Sequence, residues 1–237
     1  MAIEYHFWGV VQPERNSVTI PLVELQGSYV GGPWQVALSA TMSQIHATVL
    51  LDEPTNDIGT LHNAVRRAVD TFLDAVGATT GSTYRAEIRG MIATVGGTLR
   101  HTTFTTDFDG LAEAAPFQLA ADRLALLALR HEQLAEALGE LSLAVSRPGQ
   151  TPLHAWRAIE ACRQHFQDGS ARKQAWETMN RTLGVERESY QAAFAEYDID
   201  GPRHGVVRTV PETERIDLLL AARRVVNLYA VYLDASP

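Results

Sequence analysis

The chain has one cysteine, Cys162, in 237 residues. That excludes an internal disulfide framework and any zinc site built on several thiolates. It has one lysine, Lys173, and its other basic residues are all arginines. Arginine suits bidentate phosphate contacts, but so uniform a bias points first to genome base composition. No apolar run approaches the roughly 18 residues needed to cross a bilayer, so a membrane-spanning helix is not expected. The start, Met1-Ala2-Ile3-Glu4-Tyr5-His6, lacks the basic and apolar stretches of a secretory signal. A cytoplasmic protein is therefore expected. Also missing are a phosphate loop ending in Lys-Ser/Thr, Gly-x-Gly-x-x-Gly, His-Glu-x-x-His and Gly-x-Ser-x-Gly. The net charge of −8 disfavours broad, non-specific nucleic-acid binding.

What is present is a globular composition, 46% hydrophobic and 20% charged, long enough to bury a core unaided. The first half reads as strands over Ile3 to Val11, Ser17 to Leu25, Trp34 to Ala40, Gln44 to Leu51, Thr83 to Ala93 and Leu99 to Thr105. The segment from Gly27 to Pro33 reads as a turn. One helix interrupts them, capped by Asp57, with Leu61, Val65, Val69, Phe72 and Val76 inward before Gly77. The second half is helical throughout. One long stripe runs from Phe117 to Val145, and a helix opens at Thr151-Pro152. Others hold Trp176 and Met179, then Tyr190, Phe194 and Tyr197. A final helix opens on Thr209-Val210-Pro211-Glu212 with Ile216, Leu219, Leu220, Val226, Tyr229 and Leu233 inward. The expected fold class is α+β: a mostly antiparallel sheet with one covering helix over residues 1–108, then a helical bundle over 109–237. The boundary at Asp107-Phe108-Asp109-Gly110 is short, so the halves are expected to pack as one unit.

Eight histidines are scattered, without metal-ligand spacing, and no metal or cofactor is expected. His6, His46 and His101 lie on different strands and can meet on one sheet face, where solvent-facing positions are the simpler reading. The segment Gly201-Pro202-Arg203-His204-Gly205 stands out: a rigid loop offering an imidazole for acid–base work and a guanidinium for a phosphate. A plain helix-connecting turn explains the same residues. Arg157 and Glu160 sit one turn apart, as in an intrahelical ion pair. In a helix facing the loop, Glu160 would orient His204 and Arg157 would supplement a phosphate site. Trp156 and Trp176 read as core anchors, and Cys162 as a small buried hydrophobe.

The string Trp156-Arg157-Ala158-Ile159-Glu160-Ala161, then Trp176, Met179 and Leu183, then Arg203-His204-Gly205 before a long last helix, carries a resemblance. Residues 120 to 235 resemble the C-terminal helical domain of an uncharacterised bacterial family. That domain is similar to the HEPN superfamily (higher eukaryotes and prokaryotes nucleotide-binding). The resemblance implies a helical bundle, often dimeric, whose active members are metal-independent ribonucleases of toxin–antitoxin and phage-defence systems. Their Arg precedes the His by four to six residues; here Asp198 to Pro202 hold no Arg, and only Arg203 adjoins His204. Two functional expectations follow. The first is an RNA-directed protein of a bacterial stress or phage-defence system, with Arg203 and His204 as catalytic pair and Glu160 in support. The alternative is a non-enzymatic sensor or protein-interaction module that forms a homodimer through its helical half.

Overall fold

The computed structural model describes residues 2–13, 17–29, 32–104, 111–167, 169, 171–195 and 210–235. The protein is α+β, an antiparallel six-stranded sheet followed by helices. It divides into two compact units, Met1–Asp107 and Phe108–Pro237.

In the first unit the strands are β1 (Ile3–Gln12), β2 (Ile20–Tyr29), β3 (Gly32–Thr41), β4 (Gln44–Leu51), β5 (Arg85–Val95) and β6 (Thr98–Thr103). They lie in the order β2-β3-β4-β1-β5-β6, every neighbouring pair antiparallel. β2 and β3 run past the expected ends, so Gly27, Ser28 and Pro33 pair within the ladder instead of forming the turn. Alternation decides which face is buried. Tyr5, Phe7, Leu38, Ile45, Val49, Ile88 and Met91 point to one side and pack against Leu61, Val65, Val69 and Leu73. Those four residues are the stripe of helix α1 (Ile58–Thr80).

Asp57 caps α1 as expected, accepting from the Thr60 amide at 2.9 Å. The helix does not stop at Gly77. It continues to Thr80 and ends at Gly81, whose left-handed φ of 69° suits a glycine. Gly77 serves close approach, since a Cβ there would lie 2.5 Å from the Ser82 carbonyl oxygen.

Asp70 ties α1 to the sheet by accepting from the Ala86 amide at 2.7 Å. Burial pushes its carboxyl above the ordinary carboxylate value. The folded state therefore holds the Asp70 proton more tightly than the unfolded state does. The penalty for the buried charge grows as pH rises through the folded value and vanishes at acid pH. Asp70→Asn keeps an acceptor for Ala86 and is expected to exceed the wild type in stability near about pH 7, an advantage that shrinks on acidification. Asp70→Ala orphans the Ala86 amide and is expected to cost about 1–3 kcal/mol in urea melts.

The second unit contains α2 (Leu111–Ala114), α3 (Ala121–Ala128), α4 (Glu132–Ser146), α5 (Thr151–His165), α6 (Arg172–Leu183), α7 (Arg187–Phe194) and α8 (Glu212–Ala235). A short 3-10 turn, Pro148–Gln150, joins α4 to α5. The single helix expected from Phe117 to Val145 is two, α3 and α4. The chain turns at Leu129–His131, where the Arg130 and His131 amides both bond the Leu127 carbonyl and His131 adopts an extended conformation. Helix α5 begins one residue past its cap, Gln150; Thr151 is its first helical residue. Helix α8 is the axis of the bundle, touching α2 through α7. It is therefore buried around more of its circumference than the expected stripe. Arg215, Leu218, Ala222 and Val225 join Leu219, Val226, Tyr229 and Leu233 inside, while Ile216 and Leu220 are half-buried.

Candidate functional site

The face of the sheet opposite the α1-packed core is polar and open, and its centre is built around Trp8 on β1. Cross-strand register sets Trp8 opposite His46 on β4 and opposite Gly90 on β5. Gly90 has no side chain to hold the indole off the strand. The Trp8 ring lies where a Cβ would stand, 2.1 Å from the position that atom would take. The Trp8 and His101 rings stack at 5.5 Å with 21° between their planes. His101 lies opposite Ile92, and Ile92 opposite His6, so β6 and β1 meet through β5 on the same face. His6 is hydrogen-bonded to Thr48 (Nδ1 to Oγ1, 3.2 Å) and lies 3.7 Å from the Glu4 carboxylate. His6, His46 and His101 thus share one exposed face, with Trp8 half-buried among them. Among the described residues no cluster of His, Cys, Asp and Glu is arranged to hold a metal ion.

The arrangement has a sharp physical origin. β1 and β5 slip register between Trp8 and Gly9, because Gly9 pairs with Ile88 and leaves Arg89 as an extra residue. That bulge aims Trp8 at Gly90. At its end of the face, Glu87 accepts from Arg89 and from Gln12, and these bonds hold its carboxyl below the ordinary range. A pocket of about 240 Å³ near the β2–β3 end, lined by Gln26, Trp34, Gln35, Leu50 and Asp52, is smaller than a typical small-molecule site.

The helical unit spends its polar groups on structure. Arg157 and Glu160 do not pair with each other. The Arg157 Nε reaches Glu140 on α4 at 3.1 Å, and Glu160 pairs with Arg172 on α6. The reason is burial: Glu140 is almost fully enclosed and also binds the His154 imidazole at 2.6 Å, so it competes better for a cation than a partner one turn away. The other imidazole nitrogen of His154 contacts the Gln150 amide oxygen at 3.1 Å. Arg163 is buried over the Trp176 ring, within the aromatic cluster of Trp156, Trp176, Tyr190 and Phe194. Burial pushes the Cys162 thiol and the neighbouring Tyr229 hydroxyl upward, so both stay protonated and neither is a nucleophile. Arg203 and His204, the pair singled out in the sequence, lie outside the described residues.

Two family models match the chain, the DUF8168 N-terminal domain over residues 5–99 and the DUF8168 C-terminal domain over residues 121–234. The chain belongs to the DUF8168 family. Both are described as domains of unknown function, a description that names no HEPN relationship. No curated protein and no solved structure matches the chain. The DUF8168 N-terminal match takes in Trp8, His46 and Gly90, and ends two residues before His101. The C-terminal match takes in Glu140, His154, Arg157, Glu160, Arg203, His204 and Arg215. Sequence reasoning allowed the three histidines to meet on one face, with plain solvent-facing positions as the simpler reading, and missed Trp8 as its centre. The signal was there: a lone glycine inside a strand pattern, Gly90, marks a close approach by another group.

Proposed function

We propose that this protein binds single-stranded RNA on the open face of its N-terminal sheet. The observation that carries the reading is the Trp8 indole, lodged over Gly90 and stacked on His101 in the middle of an exposed polar face. Gly90 and the His101 ring hold the indole in one orientation, so a base that contacts it meets no further loss of rotamer freedom. His6, His46 and Thr48 stand within the same face to contact base edges and ribose hydroxyls. The chain's net charge of −8 limits backbone electrostatics, so stacking supplies most of the affinity.

The HEPN resemblance of the helical half adds a second step to the same proposal. His204 takes the proton of a ribose 2′-hydroxyl as that oxygen bonds to the adjacent phosphorus, the P–O5′ bond breaks to leave a 2′,3′-cyclic phosphate, the departing 5′-oxygen takes up a proton from the imidazolium, and Arg203 steadies the charged phosphate oxygens. The stress or phage-defence setting comes with that resemblance. A second reading, a protein-interaction module that docks a partner on the same face, is favoured by the acidic net charge.

Fluorescence anisotropy of a labelled single-stranded RNA of about ten nucleotides tests the first reading. Trp8→Ala is expected to weaken binding by about tenfold or more, the value of one stacked base. His204→Ala is expected to leave binding intact and stop chelator-resistant cleavage. RNA that leaves the anisotropy unchanged would overturn RNA recognition and leave the interaction module standing.

A further inference from the structure

The two edges of the sheet differ in a way that points to a partner. β6 is six residues long and carries Arg100 and His101, the kind of charged, short edge that resists further pairing. β2 is ten residues long and pairs with β3 on one side only in the strand order. From Leu22 to Ser28 it has no proline and a single charge, Glu24. Leu22 is 69% exposed, and Val23 and Leu25 pack on the sheet's own core.

We propose that β2 pairs antiparallel with β2 of a second copy, about a two-fold axis at Leu25, to make one continuous sheet. The register follows from elementary constraints. Directly opposed residues share a face, so a register that keeps the helices of both copies on one side pairs odd positions with odd and even with even. Centring on Glu24 sets two like charges opposite each other, which is destabilising. Centring on Leu25 sets Glu24 opposite Gln26 of the second copy, twice, and joins the two Leu25 side chains across the core face. Its central pairs, Val23 to Gly27, lie clear of Pro21 and of the irregularity in β2 between Ile20 and Val23. The segment is thus complementary to itself, which selects a second copy of this chain over an unrelated strand.

Sedimentation equilibrium of the full chain at about 50 µM is expected to show a dimer. Gln26→Glu opposes carboxylates at both symmetric positions and is expected to raise the dissociation constant about tenfold. Adding Glu24→Gln to it exchanges the two partners, restores the complementarity and is expected to restore the dimer. Far-ultraviolet circular dichroism of each variant checks that the sheet is intact. A monomer at this concentration, or a dimer indifferent to Gln26→Glu, overturns the proposal; the latter includes a dimer built on the helical half. RNA binding at Trp8 is read separately, so either proposal fails without the other.

Discussion

Replacing Arg215 with alanine is expected to destabilise the helical unit by about 3–5 kcal/mol. Arg215 is 2% exposed at the start of α8, and its guanidinium joins three pieces of chain. Its Nε donates to the Thr151 hydroxyl at 2.9 Å, one terminal nitrogen donates to Glu212 at 3.0 Å, and the other donates to the Val145 carbonyl at 3.0 Å. Thr151 in turn donates to the Ala144 carbonyl at 2.7 Å. The last turn of α4 thereby receives donors for carbonyls that no residue of that helix can bond, and a cation sits at the negative end of its dipole. Alanine leaves a cavity, and the Val145 carbonyl loses this donor in a buried place. Lysine keeps the charge but lacks the three-way fork, so Arg215→Lys is expected to recover less than half of the loss. Urea unfolding followed by circular dichroism at 222 nm, where the helices dominate, measures both. Equal stability of wild type and Arg215→Ala would show that the fork contributes no net stability.

That residue also shows where sequence patterning stopped. In the final helix the reading followed apolar periodicity, so it chose Ile216 and passed over the arginine beside it. A buried guanidinium is invisible to a hydrophobic pattern, because two of its three partners, a hydroxyl and a carbonyl, lie 64 and 70 positions away. The long stripe from Phe117 to Val145 misled for a related reason. Helical spacing survives a break when the chain resumes on the same face, and nothing like proline or glycine marks Leu129–His131. The β3–β4 turn is a third case. Met42 and Ser43 both take left-handed φ, 49° and 64°, where glycine or asparagine is the usual signal. Ser43 is held there by distant partners: its hydroxyl accepts from the Val18 amide at 3.0 Å, and its carbonyl accepts from the Val11 amide at 2.8 Å.

What periodicity does carry, it carried well. The period-two pattern of β4 and the heptad-like stripe of α1 each report a surface that must be hidden, and each was hidden against the other. Tryptophan is harder, since it counts as apolar in any pattern whether it faces core or solvent. Trp8 alternates with the buried Tyr5 and Phe7 and so belongs to the open face. Its role became legible only once register placed Gly90 beneath it.

Gly9→Ala is expected to cost the N-terminal unit about 3 kcal/mol, near the upper end for overpacking. A Cβ on Gly9 would stand 2.2 Å from the Glu87 carbonyl oxygen and 2.8 Å from the Ile88 Cα. Both are backbone atoms of the neighbouring strand, so no side chain can rotate away to make room. The strands must part at the bulge, and β1 is one of the two central strands of the sheet. The same displacement moves Trp8 off Gly90, so any recognition on the open face is expected to fall with stability. Gly139→Ala gives the opposite sign. Gly139 is an exposed position inside α4 with no atom within 4 Å of an added Cβ. There the methyl only reduces the freedom of the unfolded chain, and a gain of about 0.5–1 kcal/mol is expected. Thermal melts of the two variants beside the wild type decide the matter: Gly9→Ala melting with the wild type would mean that β5 yields at Glu87, and that the bulge does not fix where Trp8 points.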